Sequence, residues 1–264
     1  MNKTDDFFSL AAKTPLLRQR LSATYHQASK YRLSDNKMRA KKWQKEWSKF
    51  YYKGYPRFPG YALPTPTIIP SSTISLYSTL TARKSSKHFS QEKISIQQLS
   101  DLLYFTAGEY DGYIDTEKLK KRFYPSAGAR YPLEVYPVII KNSDLPNGVY
   151  HYYVRNHGIE SLWKRSISKK FLATSIGQPV VQEAAFLLVI TGVFDRTQIK
   201  YLERGYRFIL METGHMSQNA YLAAIALGLG CCSVGGFIDD DVNDLVGIDG
   251  ITESVLIVLA FGAL

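Results

Sequence analysis

Three stretches of this 264-residue chain combine residue types that can do chemistry. Within TARKSSKHF, residues 81–89, Arg83, Lys84, Ser85 and Lys87 gather three cations and a hydroxyl. That mixture suits a doubly charged phosphate, because charge and hydrogen-bond donors both favour the bound anion. Within YPSAGARYPLEVY, residues 124–136, Pro125, Ser126, Ala127, Gly128 and Ala129 form a compact turn that lets a flat ligand approach the backbone. Within SVGGF, residues 233–237, the pair Gly235 and Gly236 can expose backbone N–H groups to a ring edge rich in carbonyls. Taken singly, each stretch also fits a solvated loop or an ordinary tight turn.

The elements that must position these stretches are readable from pattern. Ser95 is placed to cap a helix that buries Ile96, Leu99, Leu102 and Leu103 and stops near Gly108. Residues 133–141 and 148–153 read as a hairpin around the turn-forming NSDLPN, with Pro137 marking an edge or a bulge. The continuous apolar runs at 184–194 and 254–262 read as strands covered on both faces. Between them, 204–230 is the longest helical candidate and ends at Gly228 and Gly230; His215 inside it reads as a core histidine. Asp239, Asp240 and Asp241 read as a helix start, favoured by the positive end of the helix dipole. Irregular alternation of strands and helices gives an α+β class with a sandwiched sheet.

Charge and composition narrow the function classes. Residues 1–60 carry 14 Lys and Arg against 4 Asp and Glu, so the net charge of +10 lies there and the rest of the chain is balanced. Inside that region Trp43, Trp47 and Phe50 recur at helical spacing, a face that docks on the body with the lysines outside; tracking a phosphate backbone is the other reading of the same segment. Five prolines between Pro56 and Pro70 make an extended connector. The expected organisation is therefore a basic, aromatic-rich extension over 1–65, helical and then Pro-rich, followed by one domain over 66–264. Cys231 and Cys232 are adjacent and cannot staple distant segments, and neither GxGxxG, GxxxxGK[ST] nor GxSxG occurs. No run reaches the length of a membrane span and the N-terminus lacks a signal-peptide pattern, so the expected location is the cytoplasm.

In order, RKSSKHF, PSAGARYPLEVY, GVYHY, KYLERGYRFILMETGHMSQNAYLAAIALGLG, GGFIDDDVNDLVGI and a closing apolar strand ending in FG together resemble the SagB-type dehydrogenase branch of the FMN-dependent nitroreductase family. Within it the chain is most similar to the azoline dehydrogenase subunits of thiazole/oxazole-modified, microcin-type peptide synthetases. The resemblance covers about residues 68–262. It implies a central mixed sheet sandwiched by helices, and an obligate homodimer with FMN at the subunit interface. It further implies cyclodehydratase subunits and a precursor peptide as partners, with no nucleic acid and no membrane. Residue by residue, it implies that Arg83, Lys84, Ser85 and Lys87 hold the FMN phosphate and ribityl chain. Ser126, Ala127 and Gly128 reach the flavin, often from the partner subunit, and Gly235 and Gly236 lie beside its ring. Lys200 and Tyr201 match the pair this branch uses for azoline oxidation. Aromatising an azoline removes a proton as well as a hydride, and a lysine in a partly desolvated cleft beside the phosphate-binding cations is suited to take the proton. Arg130 departs from the pattern, standing where the branch carries an aliphatic residue. An NAD(P)H-dependent nitro or quinone reductase of the same fold, and a scaffold subunit that has lost flavin, are the competing readings.

Overall fold

The computed structural model describes residues 21–30, 51–67, 74–113, 120–142, 144–164 and 166–264. The expected face of Trp43, Trp47 and Phe50 lies outside them. In chain order the elements are α1 (Leu21–Ala28), β1 (Gly60–Ala62), α2 (Leu76–Ala82), α3 (Ile96–Ala107), β2 (Glu109–Tyr113) and β3 (Lys120–Arg122). There follow β4 (Leu133–Ile139), β5 (Gly148–Tyr153), β6 (Gly158–Trp163), β7 (Phe186–Val193), α4 (Asp195–Tyr201), α5 (Glu203–Ala226), β8 (Leu229–Val234), α6 (Asp239–Val246) and β9 (Glu253–Ala263).

Seven strands form one sheet in the order β1-β6-β5-β4-β7-β9-β8, and β2 and β3 form a separate ribbon. Where the resemblance implies a mixed sheet, every registered pairing in the seven-stranded sheet is antiparallel. Short turns join β4 to β5 and β5 to β6, and β9 returns between β7 and β8, so no crossover is needed to set neighbours parallel.

The continuous apolar runs are strands buried on both faces, as their composition requires. Phe186, Leu188 and Ile190 of β7 point into a core shared with Leu99, Leu102 and Leu103 of α3 and Ile209, Met216 and Ala220 of α5. Leu187 and Val189, one residue out of phase, join a second core with Leu172, Ile176 and Val181 and with Val242, Leu245 and Val246 of α6. The alternation of period two in one strand therefore holds both layers to the sheet. The start of α3 is closed by a capping box: Ser95 accepts from the Gln98 amide and Gln98 reaches back to the Ser95 amide.

Two expectations change. Pro137 lies in an interior strand, opposite Leu188; registered pairing with β5 is confined to Val138 and Ile139, so the missing N–H falls where β4 has a neighbour on one side only. His215 is exposed rather than core, because the buried residues of α5 at Glu212, Thr213, Met216 and Ser217 leave it on the outward side. Over its described residues 54–67 the Pro-rich connector turns at 56–58 and then adds β1 to the sheet against β6. Among the described residues no helix is long and apolar enough to cross a membrane.

Candidate functional site

The cationic segment leaves α2 in an extended conformation and runs along the outer edge of β8, where the Ser86 amide donates to Cys231 O at 2.8 Å. Ser86 turns inward, which leaves Lys84, Ser85 and Lys87 exposed and Arg83 half-buried. Tyr221 of α5 ties this segment to the end of β8. Its hydroxyl shares a hydrogen bond with Ser85 Oγ at 2.9 Å, accepts from the Ser233 amide at 2.8 Å and donates to Ser233 Oγ at 3.2 Å. The Arg83 guanidinium lies 5.5 Å from the centre of the same ring. Immediately after β8, Gly235 and Gly236 are exposed, and a Cβ on either would meet no atom within 4 Å. Two of the sequence-predicted groups, 83–87 and 235–236, thus share one edge of the sheet, with open backbone beside a set of cations. That is the donor set a phosphate-bearing flat ligand needs.

The turn at 125–131 is built around left-handed backbone. Gly128 has φ +61°, Ala129 +53° and Tyr131 +46°; for the two non-glycine residues this geometry costs about 1–3 kcal/mol each. Ser126 closes the turn, accepting from the Tyr131 amide through Oγ at 2.8 Å while its carbonyl accepts from Ala129 at 3.0 Å. Gly128 faces Lys200 and Tyr201 so closely that a Cβ there would lie 2.5 Å from Tyr201 Oη and 2.9 Å from Lys200 Nζ. The Tyr201 ring packs edge-on against Phe208 of α5 at 5.1 Å, and Lys200 Nζ lies 5.3 Å from its centre. A cavity of about 460 Å³, lined by Tyr110, Lys121, Phe123, Tyr124, Pro125 and Tyr131, opens beside the turn.

Arg130, the residue that departs from the expected pattern, is buried and donates through Nε to Arg196 O of α4 at 2.6 Å. Arg196 in turn donates to Tyr131 O at 3.1 Å and pairs with Glu134 Oε1 at 2.6 Å. The turn and α4, which carries Lys200 and Tyr201, are therefore held as one unit. Glu134 also meets His151 Nε2 at 2.9 Å, and His151 Nδ1 meets Glu160 at 2.8 Å. Burial disfavours the Glu134 anion, but the Arg196 guanidinium and His151 hold its pKa down to about 2. Burial likewise disfavours a charged His151, and the two carboxylates overcome it to raise that pKa.

The single chain leaves the two groups of site residues apart. Tyr221 anchors the cationic edge and Phe208 anchors the Lys200–Tyr201 end, thirteen residues or roughly 20 Å of helix from one another at 1.5 Å per residue. Lys200 is exposed and lies away from Arg83–Lys87, so the cleft beside those cations that the resemblance implies is not formed within one subunit. Neither Tyr221 nor Arg196 is marked out for the site by residue type. Tyr221 reads in sequence as one more apolar position of a long helix, and no spacing signal links it to Ser85.

The nitroreductase family model matches residues 80–263. A protein of Methanocaldococcus jannaschii described as a nitroreductase is 31% identical over 175 residues, 66% of this chain and 85% of that protein. The microcin B17-processing protein McbC of Escherichia coli is 35% identical over 147 residues, and the match spans 54% of each chain, about half the length of that relative. The solved Escherichia coli microcin synthetase McbBCD complex, with truncated pro-MccB17 bound, superposes with a TM-score of 0.61 at 24% identity over 98% of this chain and 97% of the matched one, a likeness of fold.

Proposed function

The chain belongs to the nitroreductase family, and from that premise we propose that it is a cytoplasmic FMN-dependent dehydrogenase. Its reaction is the oxidation of thiazoline or oxazoline rings to thiazoles or oxazoles in a ribosomally made peptide. It works as a homodimer beside the cyclodehydratase subunits that make the azolines. The observation that carries this reading is the seating of Gly128 directly against Lys200 Nζ and Tyr201 Oη, which gives the turn and the Lys-Tyr pair one shared surface. The likeness to McbC, a microcin-processing protein, favours a peptide ring over a nitro compound as substrate.

Arg83, Lys84 and Lys87 are the groups to hold the phosphate of FMN, with Ser85 fixed by Tyr221 for the ribityl chain and the open backbone of Gly235 and Gly236 for the ring. Ser126–Gly128 with Lys200 and Tyr201 complete the site from the second subunit, which joins the two groups that one chain leaves apart. A matching surface exists for that subunit. Leu210 and Met211 of α5 are 43% and 48% exposed, and Leu76, Tyr77 and Leu80 of the adjacent α2 are 69%, 77% and 49% exposed. So many large apolar side chains on two neighbouring helices support an interface there.

FMN, when bound, supplies a hydride acceptor. Lys200 Nζ takes the proton from the ring carbon that does not give up hydride, and Tyr201 Oη, in contact with the same turn, orients the ring or passes that proton on.

The visible spectrum of the purified full chain tests the cofactor, with the released chromophore identified by mass. Flavin bands from FMN support the reading. A colourless protein that cannot be reconstituted with FMN overturns it in favour of a scaffold, and rapid bleaching by NADH without peptide oxidation favours a nitro or quinone reductase.

A further inference from the structure

Glu212 lies in the middle of α5, 2% exposed, with no hydrogen-bond partner on either carboxyl oxygen. A buried carboxyl without a partner is costly as an acid and far more so as an anion, so its position calls for a reason. Above it lies the turn that faces Lys200 and Tyr201. The Ser126 hydroxyl and the Ala127 amide come close enough to favour the Glu212 anion without closing a hydrogen bond of ordinary geometry. Ser126 Oγ is occupied as an acceptor by the Tyr131 amide, which leaves its own proton to give.

We infer that Glu212 is a positioning residue: its enclosed carboxyl beneath Ser126 and Ala127 sets how closely Gly128 approaches Lys200 Nζ and Tyr201 Oη. This rests on the reading of Ser126–Gly128 and the Lys-Tyr pair as one site. As a neutral acid Glu212 leaves the turn where the backbone holds it. As an anion it draws the Ser126 O–H and the Ala127 N–H toward itself, because each new charge-assisted hydrogen bond offsets part of the desolvation cost. The spacing between the turn and the Lys200–Tyr201 pair then changes. The groups that face Glu212 are Arg122 at the end of β3, which favours the anion, and Tyr124 and Tyr131, whose own ionisation it opposes. Burial dominates and lifts the Glu212 pKa to about 8, so the two states exchange near neutral pH.

The test follows Lys200, which is exposed and open to trace acetylation with acetic anhydride, each peptide being quantified by mass across the pH range around the Glu212 transition. In the full-length wild type the Lys200 profile gains a second inflection near pH 8 with an amplitude of about fivefold, the low end of ordinary coupling between sites. Glu212→Gln, an uncharged isostere, removes that inflection. Ser126→Ala, which deletes a donor to the anion, moves it to higher pH. Superimposable wild-type and Glu212→Gln profiles, with matching near-ultraviolet circular dichroism, overturn the inference. If Glu212→Gln does not fold, an unmoved inflection in Ser126→Ala does so instead. FMN titrated into the same proteins separates the two questions: wild type that binds no FMN defeats the cofactor reading while the Lys200 profile still decides the role of Glu212.

Discussion

At the scale of single residues, the site depends on groups whose neighbours, rather than whose types, give them a role. Tyr221 is the clearest case, since one phenol joins Ser85 of the cationic segment to the backbone of Ser233. Tyr221→Phe removes three contacts made by a single oxygen. The expected result is FMN affinity weakened about tenfold, near the 1–1.5 kcal/mol of a net hydrogen bond, measured by quenching of flavin fluorescence. Unchanged affinity would confine Tyr221 to the core. Gly128 is constrained twice, by a φ of +61° and by the nearness of Tyr201 Oη. An alanine there costs about 1–2 kcal/mol in backbone strain and pushes the Lys-Tyr pair off the turn. Turnover should fall further in Gly128→Ala than the modest drop in thermal midpoint accounts for; equal losses in both would mean the turn has only a structural part.

At the scale of elements, the junction between α4 and α5 aims the Lys-Tyr pair. Leu202 takes φ +50° between the two helices, and the α5 residue Gly205 lies under α4 so tightly that a Cβ would be 2.8 Å from Gln198 Cα and 3.0 Å from Gln198 N. Those are backbone atoms with no rotamer to yield, so Gly205→Ala must separate the helices, at about 1–3 kcal/mol. A lowered thermal midpoint with peptide oxidation reduced and FMN still bound is the expected outcome; wild-type activity would show that the aim of α4 does not matter. This scale also shows what sequence made legible. The strands β7 and β9 announced themselves as unbroken apolar runs, and Ser95 with Gln98 marked the start of α3. β8 was hidden because Gly230, Cys231 and Ser233 look like the tail of a helix stop, although pairing with β9 makes them a strand. Likewise nothing local reveals that Arg130 turns inward to hold α4. His215 reads as core because α5 carries apolar residues, Leu210 and Met211, on its exposed side as well.

At the scale of the whole molecule, a buried line of charge through β4, β5 and β6 ties the sheet to α4, and its titration sets a stability window. The pKa of Glu134 is held near 2, below its ordinary 4.5, so its contribution is present above about pH 4.5 and is lost as pH falls toward 2. The pKa of His151 is raised above 6.5, so its contribution is full below 6.5 and is lost as pH rises through the folded value. Thermal midpoints should therefore peak between those limits, and His151→Gln should flatten the alkaline side; a wild-type midpoint that climbs from neutral into alkaline pH relative to that variant would contradict it. The proposed homodimer is testable at the same scale. Leu210→Glu together with Met211→Glu places charge on the exposed face of α5 and should give monomers by analytical ultracentrifugation that no longer retain FMN, because one chain leaves the two groups of site residues apart.

The most direct measurement offers an azoline-bearing peptide to FMN-loaded wild type and to Lys200→Ala, and follows the peptide by mass. Wild type should remove the mass of two hydrogens per ring, while Lys200→Ala stays yellow and leaves the azolines unoxidised. Equal oxidation by Lys200→Ala, or no oxidation by a flavin-loaded wild type that readily consumes NADH, would contradict the assignment.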